Sequence, residues 1–392
     1  MKNLYCKTFL LAIVLAIVFS VGCSKKEAPG EIRIGGIFDL TGATHEISVP
    51  YSDGVRKYID YVNENGGING RKVRLIEMDY AYLIPRAKMA YERMVKEDKV
   101  HVILGWGTGD TEHLRPLIAR DRIPFMSASY SSRLGIIEEA PYNFIIGVTY
   151  SDQIRIVLKH ILDQWKEKAR KPRVAFIYSE TEFGKSPIAS GKVYAAAHGI
   201  DIVAEEIVPL DAREAKKQLM RIKENKADYV VIQETTWAAS VILKNARELG
   251  LNITFFGLNW CADEKLIALA GEAAEGYIGT MPILFTDMHV PGVAEIMEYN
   301  KRKGIDIEGY ISRYICGWAT ARVMLEGIKR AGDDLSGVSI KKGLESIRDF
   351  NTGGITEPVT FTATDHKGCK KLRLGQVIRG KWQSITDYIA AE

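Results

Sequence analysis

Cysteine and histidine are scarce in this chain of 392 residues, with 5 and 7 copies. No CxxC pair occurs, and the histidines are scattered without HxxxH or HExxH spacing. No dedicated metal site is therefore expected. Excess charge of one sign is missing as well. The 53 basic and 49 acidic residues leave a net charge of +4, and Lys2 and Lys7 supply part of it from the extreme N-terminus. A nearly balanced body gives no reason to expect nucleic acid or a polybasic membrane surface. Low-complexity segments and short tandem repeats are absent too. The one long apolar run, Phe9 to Val21, is too short for a comfortable membrane span and has the length of a signal peptide.

That run ends in Ser20-Val21-Gly22-Cys23. A cysteine directly after a small residue suits signal cleavage followed by lipid attachment to the new N-terminal thiol. An ordinary signal peptide, or an uncleaved anchor with Cys23 incidental, is the alternative, and Ser20 departs from the aliphatic residue usual three places before the cysteine. Either way, the folded body is expected outside the cytoplasm. Lys25 and Lys26 lie in a short polar linker. Removing residues 1–22 leaves roughly 370 residues, a length typical of two domains. Cys261, Cys316 and Cys369 remain, which allows one disulfide without choosing the pair.

Strand and helix patterns alternate from the start of the body. Glu31–Phe38 reads as a strand entering a core, and Val55, Tyr58, Ile59 and Val62 follow at helical spacing up to Gly66-Gly67. Further strands are predicted at Val73–Met78, Val100–Leu104 and Ile123–Met126, with helices at Arg86–Lys96 and Leu114–Arg120. After Tyr150 the rhythm restarts. Helices are predicted at Ile154–Trp165, Ile188–Ala197, Lys216–Lys223 and Ala238–Leu249. Strands are predicted at Val174–Tyr178, Ile202–Val208, Tyr229–Gln233, Thr254–Phe256 and Gly276–Thr280. Such alternation means right-handed βαβ units on parallel sheets, and the restart means two α/β lobes. The tail changes character. Helices at Val293–Arg302 and Tyr314–Ala331 precede short strands at Val359–Phe361, Leu372–Val377 and Trp382–Ile385.

In open parallel sheets, ligands bind on the loops at the carboxyl ends of strands. Six such loops stand out: Asp39–Gly42, Gly105–Thr111, Ser127–Ser132, Glu182–Gly184, Glu234–Trp237 and Asn259–Asp263. In the second and third, small residues let backbone N–H groups approach a ligand, and hydroxyls and helix N-termini accept a carboxylate. Helix capping by Thr108, Asp110 or Ser131 is the competing role, and the two are compatible. Trp106, Tyr130, Phe183, Trp237 and Trp260 are bulky residues beside loops, a pattern suited to an apolar or ring-bearing ligand. Gly105, Gly107 and Gly109 are spaced GxGxG rather than GxGxxG, with no acidic residue at the end of the next strand, so no nicotinamide cofactor is expected. No P-loop lysine and no GxSxG elbow occurs, and no acid–base pair can be defended.

Several segments carry a family resemblance: Ile34–Gly42 (IGGIFDLTG), Asn65–Arg71 (NGGINGR), Ile123–Ser127 (IPFMS) and Asn245–Leu251 (NARELGL). Ala270–Gly276 (AGEAAEG) with Thr280-Met281-Pro282 is the most telling. From about Ile32 to Ile385 the chain resembles solute-binding proteins of branched-chain amino acid ABC transporters, of the periplasmic-binding-protein type I fold. The resemblance implies two Rossmann-like lobes with parallel sheets, joined by a three-strand hinge that crosses near Ile146-Gly147, Thr280–Pro282 and Asn351. It divides the chain into a signal peptide (1–22), a lipid-anchored linker (23–30), an N-terminal lobe (31–147 with 283–350) and a C-terminal lobe (148–282 with 351–392).

Site residues follow from the same resemblance. The second and third loops, Ser127 and Tyr130 among their residues, would hold a carboxylate near Thr108, Ser129 and Ser131. Phe183 would cover the ligand, and Thr235 or Thr236 would contribute. Where relatives place a carboxylate for the ligand's ammonium this chain has Asn259, whose neutral amide cannot supply that charge, and Asp263 lies four residues on. An aromatic acid, an amide or another small carboxylate therefore rivals an amino acid as ligand. The expected function is that of a lipoprotein of the periplasm or cell surface, capturing such a solute without cofactor or covalent chemistry for an ABC permease and ATPase. A sensor acting on a receptor or regulator is the alternative among binding proteins, and an exported α/β enzyme the alternative of another class.

Overall fold

The computed structural model describes residues 30–167, 169–284 and 290–391. The signal segment and Cys23 lie outside them. The first sheet has five parallel strands in the order β2-β1-β3-β4-β5. These are β1 (Ile32–Phe38), β2 (Val73–Asp79), β3 (Val102–Gly105), β4 (Phe125–Ser127) and β5 (Asn143–Phe144). β3 is buried along its whole length, as its unbroken apolar run requires of a strand covered on both faces. The helix after β1 spans His45–Glu64 and runs through Pro50, so it starts ten residues before the apolar spacing that announced it.

The second sheet is larger, in the order β12-β11-β10-β9-β8-β6-β7. Its parallel part comprises β6 (Arg173–Tyr178), β7 (Asp201–Ile207), β8 (Tyr229–Gln233), β9 (Thr254–Gly257) and β10 (Ile278–Met281). β11 (Lys371–Ile378) then adds antiparallel to β10, β12 (Lys381–Ser384) antiparallel to β11, and β13 (Ile389–Ala390) pairs with β11. An antiparallel edge thus closes an otherwise parallel sheet.

Between β10 and β11 the chain returns to the first lobe. Its helix Ile311–Ala331 packs along the helix His45–Glu64, and a β-carbon on Gly317 would fall 1.9 Å from the Tyr51 carbonyl. Gly54 is equally crowded, 2.0 Å from the Tyr314 carbonyl, so this crossing needs glycine on both helices. Trp318 fills the space beside it, its ring 5.2 to 6.3 Å from those of Tyr58, Tyr61, Tyr299 and Tyr314. The chain therefore passes between the sheets after β5, after β10 and before β11.

The tail departs from its expected pattern at Val359–Phe361. Only a single bridge, Val359 with Phe350, forms there, since Pro358 has no N–H to extend a ladder. Residues 359–368 instead run along the edge of the five-stranded sheet. Lys367 bridges Ile145, and His366 stacks on Phe144 with centroids 3.9 Å apart. Helix Gly337–Glu345 and strand β5 had no clear periodicity to announce them. Cys261, Cys316 and Cys369 are all buried and unbonded, so the allowed disulfide does not form. Among the described residues, no helix is long and apolar enough to cross a membrane.

Candidate functional site

The carboxyl ends of β3, β4, β6, β8 and β9 converge on a narrow chamber between the two sheets. One wall comes from the first lobe. Trp106 leaves β3, and its indole N–H donates to Thr44 Oγ1 at 2.8 Å. Gly107 is the extended N-cap of the helix Thr108–Asp121, so Thr108 opens that helix with its hydroxyl 2.8 Å from Ser129 Oγ. The opposite wall comes from the second lobe. Thr181 caps a short helix by accepting from Gly184 N, which presents Phe183 to the chamber. Thr235 stands at the N-cap of the helix Thr236–Glu248.

Aromatic rings close the space. Trp260 packs 5.1 Å from Trp106 and donates its indole N–H to the Tyr150 hydroxyl at 2.8 Å. Phe183 meets Tyr150 edge to face at 5.5 Å. Tyr82 completes the lining from the loop after β2, where Ala81 and Tyr82 both hold positive φ, 50° and 57°. Burial pushes the phenols of Tyr82 and Tyr150 well above their ordinary range, so both hydroxyls stay protonated and able to donate. The lining offers hydroxyls, indoles and rings, a surface for holding a partly apolar solute with a few oriented polar contacts.

Of the sequence candidates, the fold brings Trp106, Thr108, Phe183 and Thr235 to the chamber wall, with Ser129 directly behind Thr108. The rest are engaged elsewhere. Ser127 Oγ accepts from Ser129 N at 3.3 Å, and Ser131 Oγ donates to Glu112 at 2.6 Å. Tyr130 is buried with its hydroxyl 3.5 Å from Cys316 Sγ. Asn259 is matched to Gln153, accepting from its amide at 3.0 Å and donating its backbone N–H back at 3.1 Å. Thr236 donates to Asp263 at 2.5 Å, and Arg313 holds the same carboxylate at 2.6 Å.

Asp110 accepts from the Tyr80 hydroxyl at 3.0 Å, while its other oxygen is buried without a partner. Burial pushes its carboxyl up to about 7. Thr44, Ile47, Tyr82 and Tyr150 were not singled out in the sequence. Tyr82 follows the carboxyl end of β2, so the strand-end rule that flagged the other loops also covers it. Tyr150 opens the helix after the first crossing, a position no motif marks.

Glu234, beside Thr235, is fully buried, and among the described residues neither of its carboxyl oxygens has a hydrogen-bond partner. Burial raises its carboxyl well above the ordinary range. The neighbouring Gln233 amide donates to the Phe183 carbonyl at 3.0 Å and so fixes the loop carrying that ring.

Comparison with known proteins agrees with this layout. A family model described as "Periplasmic binding protein" matches residues 31–381. The Leu/Ile/Val-binding protein of Escherichia coli K12 is 23% identical over 302 residues, covering 76% of this chain and 79% of its own length. The crystal structure of a branched chain amino acid ABC transporter from Thermus thermophilus with bound valine superposes with a TM-score of 0.86. It is 25% identical and covers 92% of this chain and 96% of its own. A fatty acid ABC transporter substrate-binding protein from Thermomonospora curvata shares the fold at a TM-score of 0.83 and 19% identity, covering 93% of each chain. With its matched segment spanning nearly the whole described body, the chain belongs to the periplasmic binding protein family and has its type I fold, alongside the substrate-binding proteins of branched-chain amino acid ABC transporters.

Proposed function

We propose that this protein captures a small carboxylate-bearing solute in the chamber between its lobes and delivers it unchanged to an ABC permease and ATPase. One observation carries the reading. Thr108, its hydroxyl paired with Ser129 behind it, stands on one lobe and the Phe183 ring on the other, and Thr108 and Phe183 line the same chamber. A solute touching both gains its full set of contacts only when the lobes are together, so binding shifts the population toward the closed form. Thr108 and Ser129 would take the carboxylate, Phe183 would cover the solute, and Thr235 would add a hydroxyl. Cys23 would carry the lipid that tethers the mature protein to a membrane surface, with 31–147 and 283–350 as one lobe and 148–282 and 351–392 as the other.

A thermal-shift screen over amino acids, amides, aromatic acids and aliphatic carboxylates tests this reading, because a ligand that binds only the folded state raises the melting temperature. Recovery of the stabilising compound chemically intact is the expected result. Conversion of that compound would point to an enzyme, and no shift across the whole set would count against solute capture.

A further inference from the structure

A second cavity, of about 340 Å³, opens beside the chamber, walled by the first-lobe segment Gly42–Ile47 and by second-lobe residues from Leu210 to Trp237. The two share Thr44, Ile47 and Thr235 as wall residues, so they are neighbours. The outer cavity is the roomier of the two, and its volume falls within the roughly 300–1,000 Å³ of small-molecule sites.

We propose that the solute is elongated and carries two anionic groups, one held at Thr108 and Ser129 and the second received by Arg213 at the mouth. This rests on the reading of the chamber as a solute site. Arg213 is exposed on the mouth wall and, among the described residues, makes no ion pair or hydrogen bond. Its planar guanidinium suits bidentate capture of a carboxylate. The other charged groups there leave it available. Glu46 is matched across the cleft by Lys265 at 2.8 Å, His45 turns its Nδ1 to the Gly42 carbonyl at 2.8 Å, and Asp211 forms no ion pair with Arg213.

The wall beside Arg213 is also held in place. Trp237 keeps 39% of its surface exposed, yet its indole N–H donates to the Ala212 carbonyl at 2.9 Å, pinning the turn next to Arg213. A large exposed aromatic over a cavity gives an apolar surface for the middle of a solute. At the inner end, no carboxylate lines the chamber to receive an ammonium group. Asp263 is taken by Arg313, and the Asn259 amide by Gln153. The charge pattern favours an anion at both ends over a zwitterion.

Two homologous series test the proposal by calorimetry at pH 7: linear dicarboxylates from succinate to sebacate, and the monocarboxylates of the same lengths. One or more dicarboxylates should bind at least ten-fold tighter than the matched monocarboxylate. Arg213→Ala should abolish that difference and leave monocarboxylate affinity unchanged, and Arg213→Lys should restore part of it. A dicarboxylate advantage that persists in Arg213→Ala, or none at any length, overturns the proposal. Thr108→Ala separates the two readings, since it should weaken both series alike. If neither series binds but another compound of the thermal-shift screen does, this extension fails and the solute site stands; if nothing in that screen binds either, both fail.

Discussion

Arg313 and Asp263 form a buried ion pair across the base of the cleft, Nη2 to Oδ2 at 2.6 Å, with side chains 7% and 2% exposed. Arg313 comes from the helix that packs on the first lobe, and Asp263 from the loop after β9 in the second. The guanidinium also donates to the Asn259 and Trp260 carbonyls, both at 3.1 Å, and lies 4.9 Å from the centre of the Trp260 ring. Asp263 accepts in turn from Thr236 and caps the following helix at Leu266 N. A carboxylate so fully engaged works as a fastener between lobes, and the loop bearing Trp260 is positioned by it.

Removing one partner of a desolvated pair leaves the other charge stranded, which typically costs about 3–5 kcal/mol. Arg313→Ala should therefore lower unfolding free energy by that order in urea denaturation. The double variant Arg313→Met with Asp263→Asn should lose less, because no buried charge is left alone. Equal losses in the two variants would mean that packing, rather than charge pairing, dominates there.

The hydroxyl pair yields an affinity prediction. A hydrogen bond to a charged group contributes about 1.5–3 kcal/mol, so Thr108→Ala and Ser129→Ala should each weaken binding of a carboxylate by about 1–3 kcal/mol. Melting temperature without ligand should change little. Titration calorimetry with the best compound from the thermal screen measures this, and unchanged affinity in both variants removes the pair from the site.

A pH dependence follows from the buried acids. Asp110 and Glu234 bind their protons more tightly folded than unfolded, so the folded state holds more protons once pH exceeds the ordinary carboxylate range. Stability should fall as pH rises from that range. The Asp110 contribution should level off near pH 7, and Glu234 adds a fall of the same sign. Glu234→Gln cannot ionise, so its denaturation free energy should decline less between pH 5 and pH 8 than that of the wild type. Parallel pH profiles for the two proteins would contradict a raised Glu234 carboxyl.

Much of this was legible in the chain. The apolar runs of β3 and β8 could belong only to strands covered on both faces, and the strand-end loops led directly to Trp106, Thr108 and Phe183. Less legible were features that depend on distant partners. Asn259 read as a substituted ligand contact, yet its partner Gln153 lies 106 residues away on the helix after the first crossing. Asp263 read as a candidate ligand contact, and nothing local announces Arg313, 50 residues on. Tyr150 reaches the chamber through the placement of its helix, which no residue pattern encodes, whereas Tyr82 follows the end of β2 and was within reach of the strand-end rule. Val359–Phe361 had the alternation of a strand, and a proline together with a lone bridge partner kept it from becoming one.

Phe183 offers the most direct measurement of two-lobed capture, since it lines the chamber from the lobe opposite Thr108. Calorimetric titration of wild type and Phe183→Ala with the same stabilising compound, alongside melting curves of both without it, separates gripping from packing. The account predicts that affinity falls at least ten-fold while the unliganded melting temperature drops only slightly. An unchanged affinity with a large loss of melting temperature would make Phe183 a core residue and leave the chamber without its second jaw.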